Sequence, residues 1–371
     1  MERNSDLKQD NGIDLPFFVL VMLLCSVGLV MVFSASHASA YYRFGDSYYF
    51  ISRQLKWCLG GVCVMLITAR LLTLKMLRLS VIPAFVASIT TLVLVLIPGI
   101  GTVRNGAQRW LFGFQPSEIA KLALILCMAA LMVRQQKTMH TLKKGLIPCT
   151  ALLVLFCGLV ALEKHISATV LLFAIGGVLM FIGGIKIAYV IAAGVAGVLS
   201  IAGIIAVSSY AMERVKVWLD PYIDPLDNGF QTIQSLYAIG SGGLFGLGIG
   251  NSRQKYLYIP EPQNDFIFSI ACEELGLVGA VFIVLLFVLL IWRGFTIALR
   301  APDHFSGLVV TGITIQVAVQ AILNIAVVTN LVPNTGISLP FFSYGGTALL
   351  MLLFEMGIVL AVSKKCRLRK D

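Results

Sequence analysis

The sequence predicts an all-α integral membrane protein of about ten transmembrane helices, with a long extracytoplasmic loop between helices 7 and 8. Three observations predict it. Of the 371 residues, 58% are hydrophobic and only 18 are acidic. The apolar residues fall into runs long enough to cross a hydrocarbon core of about 30 Å. Lipid offers the backbone no hydrogen bonds, so each such run must be helical.

In chain order the runs lie at about 15–35, 57–74, 79–99, 117–133, 145–162, 166–184, 187–207, 266–292, 305–330 and 343–362. The first follows a polar, acid-containing start, "MERNSDLKQDNGID", and is too long for the short apolar core of a cleaved signal peptide. No connection is long enough to bury a core of its own. The expected organisation is a cytoplasmic tail (1–14), one membrane domain (15–362) holding the long loop (208–265), and a basic cytoplasmic tail (363–371). That loop is rich in turn formers and reads as short helices lying on the membrane, its Arg214, Lys216, Arg253 and Lys255 as solvated charges.

Orientation follows from the basic residues. The termini and even-numbered connections carry 17 Lys and Arg against 10 on the other side, with Lys121 inside a helix. Long loops set topology weakly, and discounting the one at 208–265 makes the contrast 17 to 6. Both termini should therefore face the cytoplasm and the long loop should lie outside. The net charge of +10 is then mostly topogenic and does not point to nucleic acid. The tail "SKKCRLRKD" suits anionic headgroups, and the aromatics from Tyr41 to Phe50 suit an interfacial belt.

Soluble chemistries are excluded in turn. Gly246, Gly248 and Gly250 resemble part of a dinucleotide fingerprint, but no strand precedes them. They read instead as backbone that must bend or pack closely. The eight cysteines show no ligand spacing, and the four histidines are far apart in sequence. Polar residues in apolar surroundings remain. In "NGAQRWLFGFQPSEIAKLALIL", Pro116 and Ser117 form a helix start, and Glu118 and Lys121 share one helix face. Lys121 is either a snorkelling structural partner of Glu118 or a cation in an outward-facing cleft. Arg109 and Trp110 lie in the same connection. Asp265 stands where an apolar helix begins, behind Pro260 and Pro262. It is either a capping carboxylate or, if partly buried, a base of raised pKa.

Five stretches carry a family resemblance: "FISRQLKW", "NGAQRWLFGFQPSEIAKLALI", "RVKVWLDPYIDPLDNGFQTIQSLYAIGSGGLFGLGIGNS", "YIPEPQNDFIFSIACEELGLVGA" and "NTGISLPFFSYGGTALL". On these the sequence resembles the SEDS family (shape, elongation, division and sporulation) of FtsW and RodA, and more the division and sporulation branch. The resemblance implies ten helices and a peptidoglycan glycosyltransferase that polymerises lipid II at the outer face of the cytoplasmic membrane. It implies a class B penicillin-binding protein as partner, with other divisome proteins. Asp265 matches the family's essential aspartate and would be the general base. Arg109 and Lys121 would meet the departing pyrophosphate, with Glu118 holding Lys121; Arg53, Trp110 and Glu261 complete the expected substrate contacts. A divalent cation, Mg or Mn, would be the one candidate cofactor, though no ligand set is visible.

Two departures matter. Many relatives have an acidic residue after the fifth helix in a Pro-Asp-Gly-like setting, where this chain reads "LEKHISATV". A carboxylate's role there would fall to Glu163 or be absent. Thr335 stands where some division-type members have lysine. A lipid II flippase and a non-catalytic divisome scaffold are the competing functions, since buried charges and interrupted helices also suit transporters. The small and aromatic residues of 327–340 suit a partner's single helix.

Overall fold

The computed structural model describes residues 12–104, 107–163, 165–189, 191–192, 194–195, 197, 203, 209–227, 229–256 and 258–366. The seventh expected run, 187–207, falls largely outside them, as do Lys164, residues 1–11 and the end of the basic tail.

Among the described residues, nine of the expected runs are helical. These are α1 (Leu15–Phe44), α2 (Tyr49–Leu71), α4 (Val81–Leu96), α5 (Pro116–Arg134), α6 (Ile147–Leu162), α7 (Ile166–Ile182), α10 (Ile267–Leu299), α11 (His304–Val328) and α12 (Gly346–Ser363). Seven spans are long and apolar enough to cross a membrane, while α4 and α7 are shorter apolar helices. A six-residue helix, α3 (Leu74–Leu79), precedes α4. Within the long loop lie α8 (Ser209–Leu219) and α9 (Phe230–Ser241).

The connections between helices gather at two ends of the bundle. One end gathers Asp14, Arg293 and Ser363. Arg293 forks onto both Asp14 oxygens at 2.8–3.1 Å, and the Asp14 amide donates to Ser363 Oγ at 3.1 Å. The other end gathers the connections that hold Arg109, Trp110, Glu261 and Asp265, with Arg53 in the first turns of α2 and Glu118 and Lys121 in those of α5.

Two features at that second end were not expected. Residues Thr102–Arg104 (β1) and Ala107–Trp110 (β2) pair antiparallel, with Thr102 opposite Trp110. Just beyond, Leu111 and Phe114 exchange backbone hydrogen bonds around Phe112 and Gly113, both at positive φ. This ribbon carries Arg109 back over the bundle. The second feature is a break in α10. The helix is 33 residues long, about 50 Å at 1.5 Å per residue, and Gly276 interrupts it at φ 68°, ψ −168°.

The glycine-rich stretch before Asn251 fills that break. Leu277 and Val278 donate to the carbonyls of Gly243 and Leu244, while Leu247 and Gly248 donate to those of Glu273 and Glu274. Backbone groups freed by the break are thereby satisfied within protein, as an apolar surrounding demands. A Cβ on Gly246 would overlap the Glu274 carbonyl, and one on Gly276 the Gly246 amide. The close packing expected of these glycines is what the backbone shows.

Lys255 is not a solvated charge. It is fully buried and pairs with buried Glu274 at 3.0 Å, and Glu274 also accepts from Ser34 of α1. Neighbouring Glu273 accepts the amides of Arg253 and Gln254. The loop from Ser252 to Lys255 is thus pinned to α10 and α1 by charge. Removing one member of such a pair strands the other in low dielectric, at about 3–5 kcal/mol. Lys255→Met should lower unfolding stability in detergent by that amount, and Lys255→Met with Glu274→Gln should recover part of it.

The segment 327–340 is partly buried. Val327, Val328, Ile337 and Leu339 are buried in this bundle. Near that segment Ile322 and Leu331 present large apolar side chains outward, and these two remain the apolar positions a partner helix could meet.

Candidate active site

Asp265 lies one residue outside the N-cap of α10. That helix begins at Ile267 with Phe266 at its cap position and no side-chain capping bond. Its backbone is held from the other chain segments: Asn324 of α11 donates to the Asp265 carbonyl at 2.7 Å and to the Ile337 carbonyl at 2.6 Å. Ser343 Oγ donates to the Asn264 carbonyl at 2.7 Å, and the Tyr344 amide to that of Gln263 at 2.8 Å. The segment between α11 and α12 is therefore laced to the segment before α10. Gly336, at φ 70°, lets the two approach: a Cβ there would stand 3.2 Å from Asp265 Oδ2.

The turn between α6 and α7 closes the same centre. Ser167 Oγ donates to the Thr335 carbonyl, next to Gly336. His165, the N-cap of α7, has its ring within 3.4 Å of Gln115 Nε2 at the head of α5. One turn into α5, Lys121 pairs with Glu118 at 2.8 Å; the lysine is 4% exposed. Outward snorkelling is excluded by that burial. Pro116 starts this helix with Gln115 as its N-cap.

Electrostatics tie these residues together. Burial, then the like charge of Glu261, push the Asp265 carboxyl up to about 6 against the opposing pull of Arg109. Burial pushes Glu163 up to about 8, again opposed by Arg109. Burial, Arg109 and Lys121 press His165 down to about 3, so its ring is neutral. Arg109, carried on β2, acts on all three groups. Carboxyls raised by desolvation beside a specific cation mark functional sites more often than chance.

The other expected contacts are distributed less compactly. Glu261 sits at the rim, pairing with Arg43 at 3.2 Å and accepting from Asn264 at 2.8 Å. Arg53 lies over the Tyr49 ring at 4.1 Å and acts electrostatically on Tyr344. It therefore reaches the centre through Tyr344 and not beside Arg109. Trp110 follows Arg109 in β2, and adjacent strand positions take opposite faces, so the two do not share one. Lys121 acts on His165 and on Glu355, a layer deeper than Arg109. Among the described residues, no group of three His, Cys, Asp or Glu is arranged to hold a metal ion.

Sequence reasoning passed over several residues at this centre. Glu355 of α12 is 1% exposed and accepts from Gln316 of α11 at 2.7 Å. A carboxylate inside "LLMLLFEMG" was a usable signal, because ionisable groups within spans are costly and tend to be functional. Asn324 and Ser167 gave no comparable signal, since uncharged polar residues are common within helices.

Comparison with known proteins supplies the relationship. The family model for FtsW, RodA and SpoVE, described as "Cell cycle protein", matches residues 14–368. The chain belongs to this family. Among curated FtsW/RodA/SpoVE members it is similar to Stage V sporulation protein E of Bacillus subtilis, 41% identical over 363 residues, 95% of this chain and 98% of that one. It is similar also to the Probable peptidoglycan glycosyltransferase FtsW of Trichlorobacter lovleyi, at 39% over 359 residues, 96% and 94% of the two. Of solved structures, a chain from a study of how a peptidoglycan synthase complex coordinates polymerization and crosslinking aligns with TM-score 0.80. It is 28% identical and covers 97% of this chain and 99% of that one. The rod shape determining protein RodA of Thermus thermophilus aligns at 0.70 with 25% identity, covering 97% and 98%. These likenesses agree with a multi-pass membrane protein of the FtsW/RodA/SpoVE type.

Proposed function

We propose that this family member is a peptidoglycan glycosyltransferase that polymerises lipid II at the outer face of the cytoplasmic membrane, in cell division, with Asp265 as general base. The observation that carries the reading is the partly exposed Asp265, packed against Gly336 just before α10, its carboxyl raised to about 6 and within the influence of Arg109. The names of the FtsW relatives support the reaction class. A sugar hydroxyl attacks the anomeric carbon while a lipid-bound diphosphate departs. Asp265 takes the hydroxyl proton as the bond forms, and Arg109, with Lys121 behind it, offsets the charge growing on the diphosphate. Glu118 fixes the Lys121 ammonium, and Glu261, Arg53 and Trp110 bound the approach.

The broken α10 is the feature a lipid carrier would use. Here protein backbone fills the break, which favours a fixed site over an alternating one. The solved synthase complex supports pairing with a class B penicillin-binding protein. Purified protein with that partner should convert lipid II to glycan strands in detergent or liposomes. Absence of product from a stably folded complex would return the flippase or scaffold reading.

Both termini should face the cytoplasm and the Asp265 end should lie outside. Gln263, only 2% exposed, is unsuitable for labelling, whereas Leu226 is 88% exposed and Lys143 is exposed at the opposite end. Leu226→Cys in a background without accessible thiols should react with an impermeant maleimide on intact cells. Lys143→Cys should react only after permeabilisation; the reverse pattern would invert the site's placement.

A further inference from the structure

Glu163 sits on the turn between α6 and α7, 1% exposed, and neither carboxyl oxygen has a hydrogen-bond partner among the described residues. Buried polar groups are nearly always satisfied, and a carboxyl left unmet costs free energy that packing does not return. Glu163 is nevertheless not isolated from the site. Arg109 acts on it from β2, His165 is two residues along, and Ser167 beyond that reaches the Thr335 carbonyl beside Gly336 and Asp265. Arg109 is thus shared by Glu163 and Asp265.

We propose that Glu163 is a further substrate-binding residue of this site, giving a hydrogen bond in its acid form to the diphosphate of the lipid-linked sugar beside Arg109. The inference rests on the polymerase reading above. The chemistry is consistent: an ionised carboxylate there would repel the diphosphate and neutralise Arg109, whereas the acid form adds a donor and leaves the guanidinium positive. No bond is made or broken at Glu163. Its proton stays on the carboxyl throughout and is shared with a non-bridging phosphate oxygen.

The charged and titratable groups around it are few. Among the described residues, Arg109 from β2 is the charged group that acts on it, and its turn neighbour His165 feels Arg109 and Lys121 of α5. Its chain neighbour Lys164 lies outside the described residues. Arg109 favours ionisation of Glu163 and burial opposes it more strongly, leaving the carboxyl at about 8. The acid form thus prevails at neutral pH and is lost as pH rises through that value.

The test is the alkaline limb of lipid II polymerisation by the protein with its penicillin-binding partner. Wild-type kcat/KM should fall about tenfold per pH unit above about pH 8. Glu163→Gln keeps a donor that does not titrate, so its alkaline limb should vanish. Glu163→Ala should raise KM for lipid II about tenfold or more, as loss of one hydrogen bond to a charged group would, with kcat little changed. A Glu163→Gln protein that retains the wild-type alkaline limb would overturn the inference, as would uniform loss of kcat at every pH, which is the mark of a structural ion pair with Arg109. The acid limb belongs to Asp265 and should persist in both variants. Wild-type protein that makes no glycan at any pH would overturn the polymerase reading itself, and this inference with it.

Discussion

Asp265→Asn should leave a folded, membrane-inserted protein that binds its partner and makes almost no glycan. Asparagine keeps the volume and one acceptor oxygen, so the backbone bonds from Asn324 and Ser343 that hold this segment are untouched. What is lost is the ability to take the acceptor hydroxyl's proton, and loss of a general base costs about 10² to 10⁴ in rate. A capping role predicts otherwise, since asparagine caps a helix as well as aspartate. The geometry already weakens that alternative, because α10 starts beyond Asp265 with no side-chain cap. A pH profile gives a second check. Because the folded carboxyl is raised to about 6, the base form appears only above that value. Wild-type kcat/KM should therefore fall about tenfold per unit below about pH 6, far above the range of an ordinary aspartate. Full activity of Asp265→Asn, measured as glycan per enzyme with partner association checked in the same preparation, would remove Asp265 as the base.

Lys121→Ala should be the second most damaging change, and for two separable reasons. Lys121 is 4% exposed and holds Glu118 at 2.8 Å, so its removal leaves a carboxylate uncompensated and destabilises by about 3–5 kcal/mol. It should also lower kcat/KM by weakening the positive field that meets the diphosphate. Lys121→Met with Glu118→Gln removes both charges together and should recover most of the lost stability. If Lys121 serves the reaction, that double variant stays deficient in polymerisation despite folding well. Recovery of activity along with stability would make the pair purely structural. Lys121→Arg should restore charge but only part of the activity, because a planar guanidinium does not fit the pocket of a compact ammonium.

The site was unevenly legible. Asp265, Glu118, Lys121 and Arg109 stood out because charge in an apolar chain is expensive and therefore informative. Lys255 has the same chemistry and was read as solvated. Its loop is polar, and nothing in "SRQKY" announces that Glu274, nineteen residues on, would fold back to meet it. Glu163 was reached only as a substitute for a missing pattern. Its two unmet oxygens are properties of a finished turn and not of a string of residues.

Helix ends show the same division. The run expected at 15–35 extends to Phe44, and the run expected from 57 begins at Tyr49, taking Arg53 into the first turns of α2. Apolarity marks only the part of a helix that lipid would touch. Helices continue past it wherever neighbouring protein satisfies the polar side chains.

The sequence alone determined the class. Lipid leaves the backbone no partner but itself, so each long apolar run could only be a helix, and the basic residues set the expectation, open to the maleimide test, of which ends face inward. Tertiary structure decided what surrounds Asp265. Asn324, Gly336, Ser167 and Arg109 come from four separate parts of the chain, and no periodicity or spacing relates them. Burial, which raises the carboxyl, is a property of that assembly, because desolvation depends on every neighbour at once and on none in particular.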